Sequence, residues 1–342
     1  MRKIRAVVYG PGQMGKIITR LMLEKGIRIV GAINRNPDMV GKDLGEVAGL
    51  GYRLNVKLSN DADKVLSENQ ADIAVVAVYA EMERSYPMFK KCIEHGLNVI
   101  TTCDEALYPW TTSPELTAKL DRLAKKHGVT ITGAGFQDVF LTNQIILLSG
   151  ASHTIDTIKG YQKYNVDDYG PMVAEWHHVG ETVDQFYRRE KEQGTDLSYF
   201  RMSLETIAAG LGLTVKKIQQ TTKPLTEGVD VKCKSLGIVI KKGLVVGRSQ
   251  ITEIETEQGI LLRGEEVSKV CKKGEVDQNK WSIIGVPNTY LKNDRVATKL
   301  QTCTQIVNRI PDIINANPGY ITVDQLPMLK YRTYPLACYV RE

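Results

Sequence analysis

A doubly wound α/β domain with an inserted α+β domain is what this sequence predicts, and three observations carry that prediction. Apolar runs of strand length alternate with helical stretches through the first third of the chain. A glycine cluster, YGPGQMG, closes the first of those runs. Past residue 135 the alternation stops, and long β-rich stretches follow with no helix-length spacers. Strands alternating with helices form a parallel sheet covered on both faces, the Rossmann arrangement, whereas strands in direct succession form antiparallel hairpins.

The strands of the first domain are read in IRAVV, IRIVGAI, ADIAVVAV, LNVIT and VTITG, with helices in MGKIITRLMLEKG and SPELTAKLDRLAKKHG. Gly10, Gly12 and Gly15 stand where the first strand meets the first helix. Glycine there lets the backbone approach a pyrophosphate, and the helix N-terminus at about Gln13 to Lys16, with Gln13, Met14 and Gly15 as the cofactor contacts, presents N–H groups to that anion. A dinucleotide is therefore the expected cofactor. At the end of the second strand an acid would hold the ribose 2′-hydroxyl of NAD; this chain has Asn34 and Arg35 there instead. Asn34 removes the repulsion of a 2′-phosphate, and Arg35 can pair with one, so NADP is expected to be accepted alongside NAD.

Two later stretches carry candidate chemistry. NVITTCDEALYPW follows the LNVIT strand and places Asp104 and Glu105 side by side at the end of a parallel strand, the end that faces a ligand. GAGFQDVFLTNQ follows VTITG and offers Gln137 and Asp138, the latter also readable as a helix cap. The second domain is entered here. CKSLGIVIKKGLVVGRSQITEIETEQGILLRGEEV reads as an antiparallel sheet. DRVATKLQTCTQIVNRIPDIINA then returns to helical spacing, with Ala297, Leu300, Thr304, Val307 and Ile310 on one face, and is expected to rejoin the first domain. The organisation is thus 1–135 with 291–342 as the dinucleotide domain, and 136–290 as the substrate and dimerisation domain.

Composition bounds the function. The 342 residues carry 42% hydrophobic and 25% charged side chains, ordinary for a globular chain, and no apolar run approaches a membrane span. A net charge of +6, with many cations set among acids, argues against nucleic acid as a partner. Six scattered cysteines without paired spacing indicate neither a metal site nor a disulfide framework. No membrane partner and a cytoplasmic location are expected.

Taken together, GPGQMG, TTCDEALYPW, GAGFQDVF, YNVDDYG and VNRIPDIINANPGYITVDQLP resemble the 2,4-diaminopentanoate dehydrogenases and the related native amine dehydrogenases, whose fold is similar to dihydrodipicolinate reductase. The resemblance runs nearly the length of the chain. It implies NAD(P)-dependent oxidative deamination of 2,4-diaminopentanoate to 2-amino-4-oxopentanoate and ammonia, a step of ornithine degradation; the reverse reaction is reductive amination of a ketone. It also implies a homodimer. The family's catalytic glutamate falls on Asp104, one methylene shorter, with Glu105 as the second acid, and which of the two acts stays open. Substrate contacts are carried over to Gln137, Lys163, Asn165 and, more weakly, His177. A carboxylate sheltered from water could take the proton of the amine before its carbon is oxidised. The alternatives are a cyclic-imine reductase, an amine dehydrogenase acting on simple ketones or aldehydes, and a non-enzymatic NADP-binding regulator.

Overall fold

A computed structural model describes residues 2–193 and 197–341. The chain divides into two compact units, Met1–Val139 with Leu300–Glu342, and Phe140–Lys299.

The first unit is built on strands β1 (Arg5–Tyr9), β2 (Arg28–Ile33), β3 (Leu58–Ser59), β4 (Ile73–Val76), β5 (Asn98–Thr101), β6 (Thr130–Gly133) and, near the end of the chain, β15 (Gly319–Tyr320). They form one parallel sheet in the order β15-β6-β5-β4-β1-β2-β3. The five runs read as strands are β1, β2, β4, β5 and β6. Every residue of β4 and β6 is buried, as expected of a parallel strand covered on both faces. The core gathers Val7, Ala74, Val76 and Val99 from the sheet against Met88, Phe89 and Leu120 from the helices. One of those helices, Pro114–His127, starts with proline in its first turn and is closed by Gly128 at φ 69°, so both ends are written in local chemistry.

The second unit holds β7 (Thr154–Asn165), β8 (Val215–Thr226), β9 (Val231–Cys233), β10 (Ile238–Ile240), β11 (Val245–Thr256), β12 (Leu261–Lys269), β13 (Gln278–Val286) and β14 (Thr289–Asn293). Six of these make a sheet in the order β14-β13-β7-β12-β11-β8, and β9 with β10 forms a separate hairpin. The expected antiparallel sheet is therefore mixed: β12 lies antiparallel to β11 but parallel to β7. Gly160 and Gly264 leave the space that Phe200 and Trp281 occupy, since a Cβ on Gly264 would stand 2.1 Å from Phe200 Cδ1. Helix Tyr199–Gly210 packs on the sheet there.

Three expectations need correction. The units part at Val139 and Lys299, later than 135 and 290, because β14 pairs with β13 and a cut at 290 would split that strand. The terminal helix runs Thr298–Asn315, so Ala297 precedes it, and Leu300 is 45% exposed. Its buried apolar side chains include Cys303, Ile306, Val307, Ile310 and Ile313, and every residue from 305 to 313 is buried, polar ones among them, which erases the one-sided pattern. Among the described residues, no helix is long and apolar enough to cross a membrane.

Candidate active site

The glycine turn is built as a cradle. Gly10 has φ 91°, and a Cβ on it would lie 2.5 Å from Val78 Cγ2 and 2.7 Å from the Ala77 carbonyl oxygen. Gly15 packs the first helix onto the turn, where a Cβ would stand 2.4 Å from the Gly10 oxygen. Gly12, by contrast, has a negative φ of −80° and open space: a Cβ there would meet no described atom within 4 Å. It precedes helix Gln13–Glu24 without capping it through a side chain, and no acid stands in the first turn. Two glycines are thus needed for the shape and one leaves room above the helix N-terminus, which fits the pyrophosphate of a dinucleotide.

At the end of β2, Asn34 Oδ1 accepts the Asn36 N–H at 2.9 Å and shapes the loop. The Arg35 guanidinium lies against the Tyr9 hydroxyl. Burial raises the pKa of that phenol, and Arg35 pulls it the other way.

The acidic pair is split by its surroundings. Glu105 is 8% exposed, and both its oxygens are taken: Met82 N–H donates to Oε2 at 2.7 Å and Ser113 Oγ to Oε1 at 2.6 Å. It thereby satisfies the first N–H of helix Met82–Glu94 from 23 residues away, where Glu81 makes no side-chain cap. The neighbouring backbone is pinned as well, by Tyr320 Oη on the Ala106 carbonyl at 2.5 Å and by Gly133, where a Cβ would come within 2.3 Å of Ala106. Asp104 is half-buried and accepts Gln137 Nε2 at 2.6 Å. The two side chains follow β5 and β6, adjacent parallel strands, at the carboxyl ends where ligands are held in open α/β sheets.

Asp138, next to Gln137, is fully buried and forms a two-point pair with Arg309, at 2.8 Å from Nε and 2.7 Å from Nη2. The pair holds Asp138 inside the fold, away from the surface. Arg309 also donates to the Pro327 carbonyl at 2.5 Å. No local motif announces this pair, because its members are 171 residues apart.

In the second unit, Lys163 and Asn165 are neighbours on β7. The Lys163 side chain is 12% exposed, with Nζ 3.9 Å from Glu275 Oε1. Burial pushes the Glu275 carboxyl up, but the Lys272 N–H and the Lys269 ammonium outweigh it and hold the group below its usual value. Asn165 Oδ1 accepts the backbone N–H of Cys271 at 3.0 Å and of Asp167 at 3.3 Å, so this oxygen serves the fold. His177 is 1% exposed, with Nε2 3.1 Å from Tyr164 Oη and Nδ1 2.7 Å from the Val173 carbonyl. That carbonyl requires a proton on Nδ1, which leaves Nε2 to accept the phenol. Burial, and then the charge of Arg248, press its pKa down to about 3. His177 is therefore a neutral residue that orients Tyr164. Tyr164, Glu275 and Asp277 stand around the carried-over positions, and the sequence reading missed all three.

Residues 139–334 match the family described as the 2,4-diaminopentanoate dehydrogenase C-terminal domain. The 2,4-diaminopentanoate dehydrogenase of Acetoanaerobium sticklandii is 28% identical over 96% of this chain and 94% of its own. A solved amine dehydrogenase from Mycobacterium smegmatis is 46% identical, with a TM-score of 0.93 over 97% of this chain and 98% of that one. GenD2 from gentamicin A biosynthesis, solved in complex with NAD, shares the fold at a TM-score of 0.59 and 13% identity, over 95% of this chain and 90% of its own.

Proposed function

The chain belongs to the 2,4-diaminopentanoate dehydrogenase family and is an NAD(P)-dependent oxidoreductase acting on amines, and from this premise we propose that it oxidatively deaminates the 4-amino group of 2,4-diaminopentanoate. Asp104 is the proposed acid–base group, and the observation that carries it is its half-buried position beside Gln137, while Glu105 is buried with both oxygens bonded. The bound nicotinamide supplies the hydride acceptor, and the chain supplies alignment and proton handling. As a carboxylate, Asp104 takes a proton from the substrate ammonium, leaving the neutral amine whose carbon can be oxidised. Once that proton has passed to solvent, the restored carboxylate faces the iminium cation, which its charge favours. It accepts a proton from the water that adds to the iminium, returns it to the carbinolamine nitrogen, and takes up the hydroxyl proton as the C–N bond breaks. Ammonia leaves and the ketone remains. Gln137 holds the carboxylate in position.

For the cofactor we propose NADP, read by Arg35 in the absence of an acid at Asn34. Asn34→Asp is expected to move the NADP-to-NAD ratio of kcat/KM toward NAD, and an unchanged ratio removes this assignment. In the second unit Lys163 is the proposed partner of the substrate carboxylate.

A second reading, deamination of simple amines, is favoured by one observation: Glu275 already sets a negative charge 3.9 Å from Lys163. Following the absorbance of reduced cofactor with 2,4-diaminopentanoate and a series of simple amines separates the two. The first reading expects Lys163→Ala to raise KM for the diamino acid alone. Equal losses on both substrates, or higher kcat/KM on simple amines in the unaltered enzyme, favour the second.

A further inference from the structure

The carboxyl ends of β1 and β2 border a cavity of about 500 Å3, lined among others by Tyr9, Arg35, Asn60, Asp61, Asp63 and Lys91. All of these residues belong to the first unit. The volume lies in the range that small ligands fill. The cavity brings together two cations from separate elements: Arg35 from the loop after β2, and Lys91 from helix Met82–Glu94. The charge of each reaches the buried Tyr9 hydroxyl.

The two acids of the lining are engaged differently. Asp61 Oδ1 accepts the Lys64 N–H at 3.0 Å and caps helix Ala62–Glu68. Asp63 Oδ2 accepts Lys91 Nζ at 2.5 Å, while its Oδ1 stands 3.4 Å from His95 Nε2. The pair is partly solvated, the Lys91 side chain being 37% exposed and that of Asp63 63%. An exposed pair of this kind is weak and readily exchanged for a doubly charged anion. A phosphate entering the cavity meets Arg35 and, once Lys91 turns from Asp63, a second cation.

We propose that Lys91 is a second reader of the ribose 2′-phosphate of NADP, acting with Arg35, and that Asp63 is the internal anion which holds Lys91 until the phosphate displaces it. The inference rests on the NADP reading above and names a specificity residue that no β2-end motif points to. Lys91 lies 56 positions beyond Arg35, on a helix that follows a different strand.

The test uses the intact protein and two probes that lack the nicotinamide, adenosine 2′,5′-bisphosphate and adenosine 5′-monophosphate, with Kd measured by calorimetry. The unaltered protein is expected to prefer the bisphosphate. Lys91→Ala should weaken the bisphosphate about tenfold, as befits one charge-assisted bond in a partly solvated site, and leave the monophosphate unchanged. Lys91→Arg should keep most of the preference. Asp63→Asn should tighten the bisphosphate severalfold, because it removes both the competitor and the repulsion. A bisphosphate affinity unaltered in Lys91→Ala, or equal weakening of both probes, overturns the role of Lys91. If Arg35→Ala abolishes the preference in that same case, the NADP reading stands without Lys91. Equal binding of both probes by the unaltered protein overturns the NADP reading and this inference together.

Discussion

Gln137 Nε2 donates to Asp104 Oδ1 at 2.6 Å, joining the ends of two adjacent strands through one hydrogen bond to an anion. Such a bond favours the ionised carboxylate. Gln137→Leu is therefore expected to lower kcat severalfold, because the carboxylate loses a bond that orients it, with cofactor Kd and Tm retained. An unchanged kcat, or a kcat loss matched by a fall in Tm, would leave Gln137 a packing residue only.

The three glycines of the turn are expected to separate into shape and access. Gly12→Ala should leave Tm closer to the parent than Gly10→Ala does, since its φ of −80° lies outside the left-handed region and its Cβ meets no described atom. Cofactor Kd should nonetheless rise by tenfold or more, on the order of one lost close approach. Gly10→Ala should instead lower Tm, because its φ of 91° and the Val78 contact both oppose a side chain. Thermal melts and cofactor titrations of the two variants check this.

His177 gives a pH dependence whose sign is fixed. Its folded pKa of about 3 lies below the ordinary value of 6.5, so the unfolded chain binds the extra proton between those limits. Stability from this group is complete above pH 6.5 and is lost as pH falls toward 3, by about 2 kcal/mol between pH 7 and pH 5. Denaturant midpoints at the two pH values should differ less in His177→Gln than in the parent. Comparing the two proteins cancels the opposite trend from Glu266, whose burial raises its pKa.

Asp138→Ala should destabilise the chain by about 3 kcal/mol, since it strips the fully buried Arg309 of the partner of its Nε and Nη2 and leaves its charge to be balanced by Asp312, 3.3 Å from Nη1. Urea unfolding measures it; a loss below about 1 kcal/mol would mean that the pair is not closed off from water.

Much of the first unit was legible because its signals are local. Strand length, the glycine turn, and the proline and glycine at the ends of helix Pro114–His127 are each written within a few residues. β3 and β15 are two residues long and leave no periodic trace. The parallel pairing of β7 with β12 was hidden because alternation looks the same in either direction. At the site, the pair Asp104 and Glu105 was visible but its division was not, since Met82 and Ser113 decide it from elsewhere in the chain. His177 and Asn165 were read toward the substrate, whereas Tyr164 and the Cys271 N–H engage them within the fold.

The division of labour within the acidic pair is tested most directly by the turnover of Asp104→Asn and Glu105→Gln in oxidative deamination, each at saturating amine and cofactor, with Tm recorded for both. Asp104→Asn is expected to lose about 10²–10⁴ in kcat, the usual contribution of a general acid–base group, with Tm and cofactor affinity retained. Glu105→Gln should keep kcat within a few-fold and melt at lower temperature, because it weakens the bonds to Met82 and Ser113. Full turnover in Asp104→Asn, or a larger kcat loss in Glu105→Gln at unchanged Tm, would contradict the assignment.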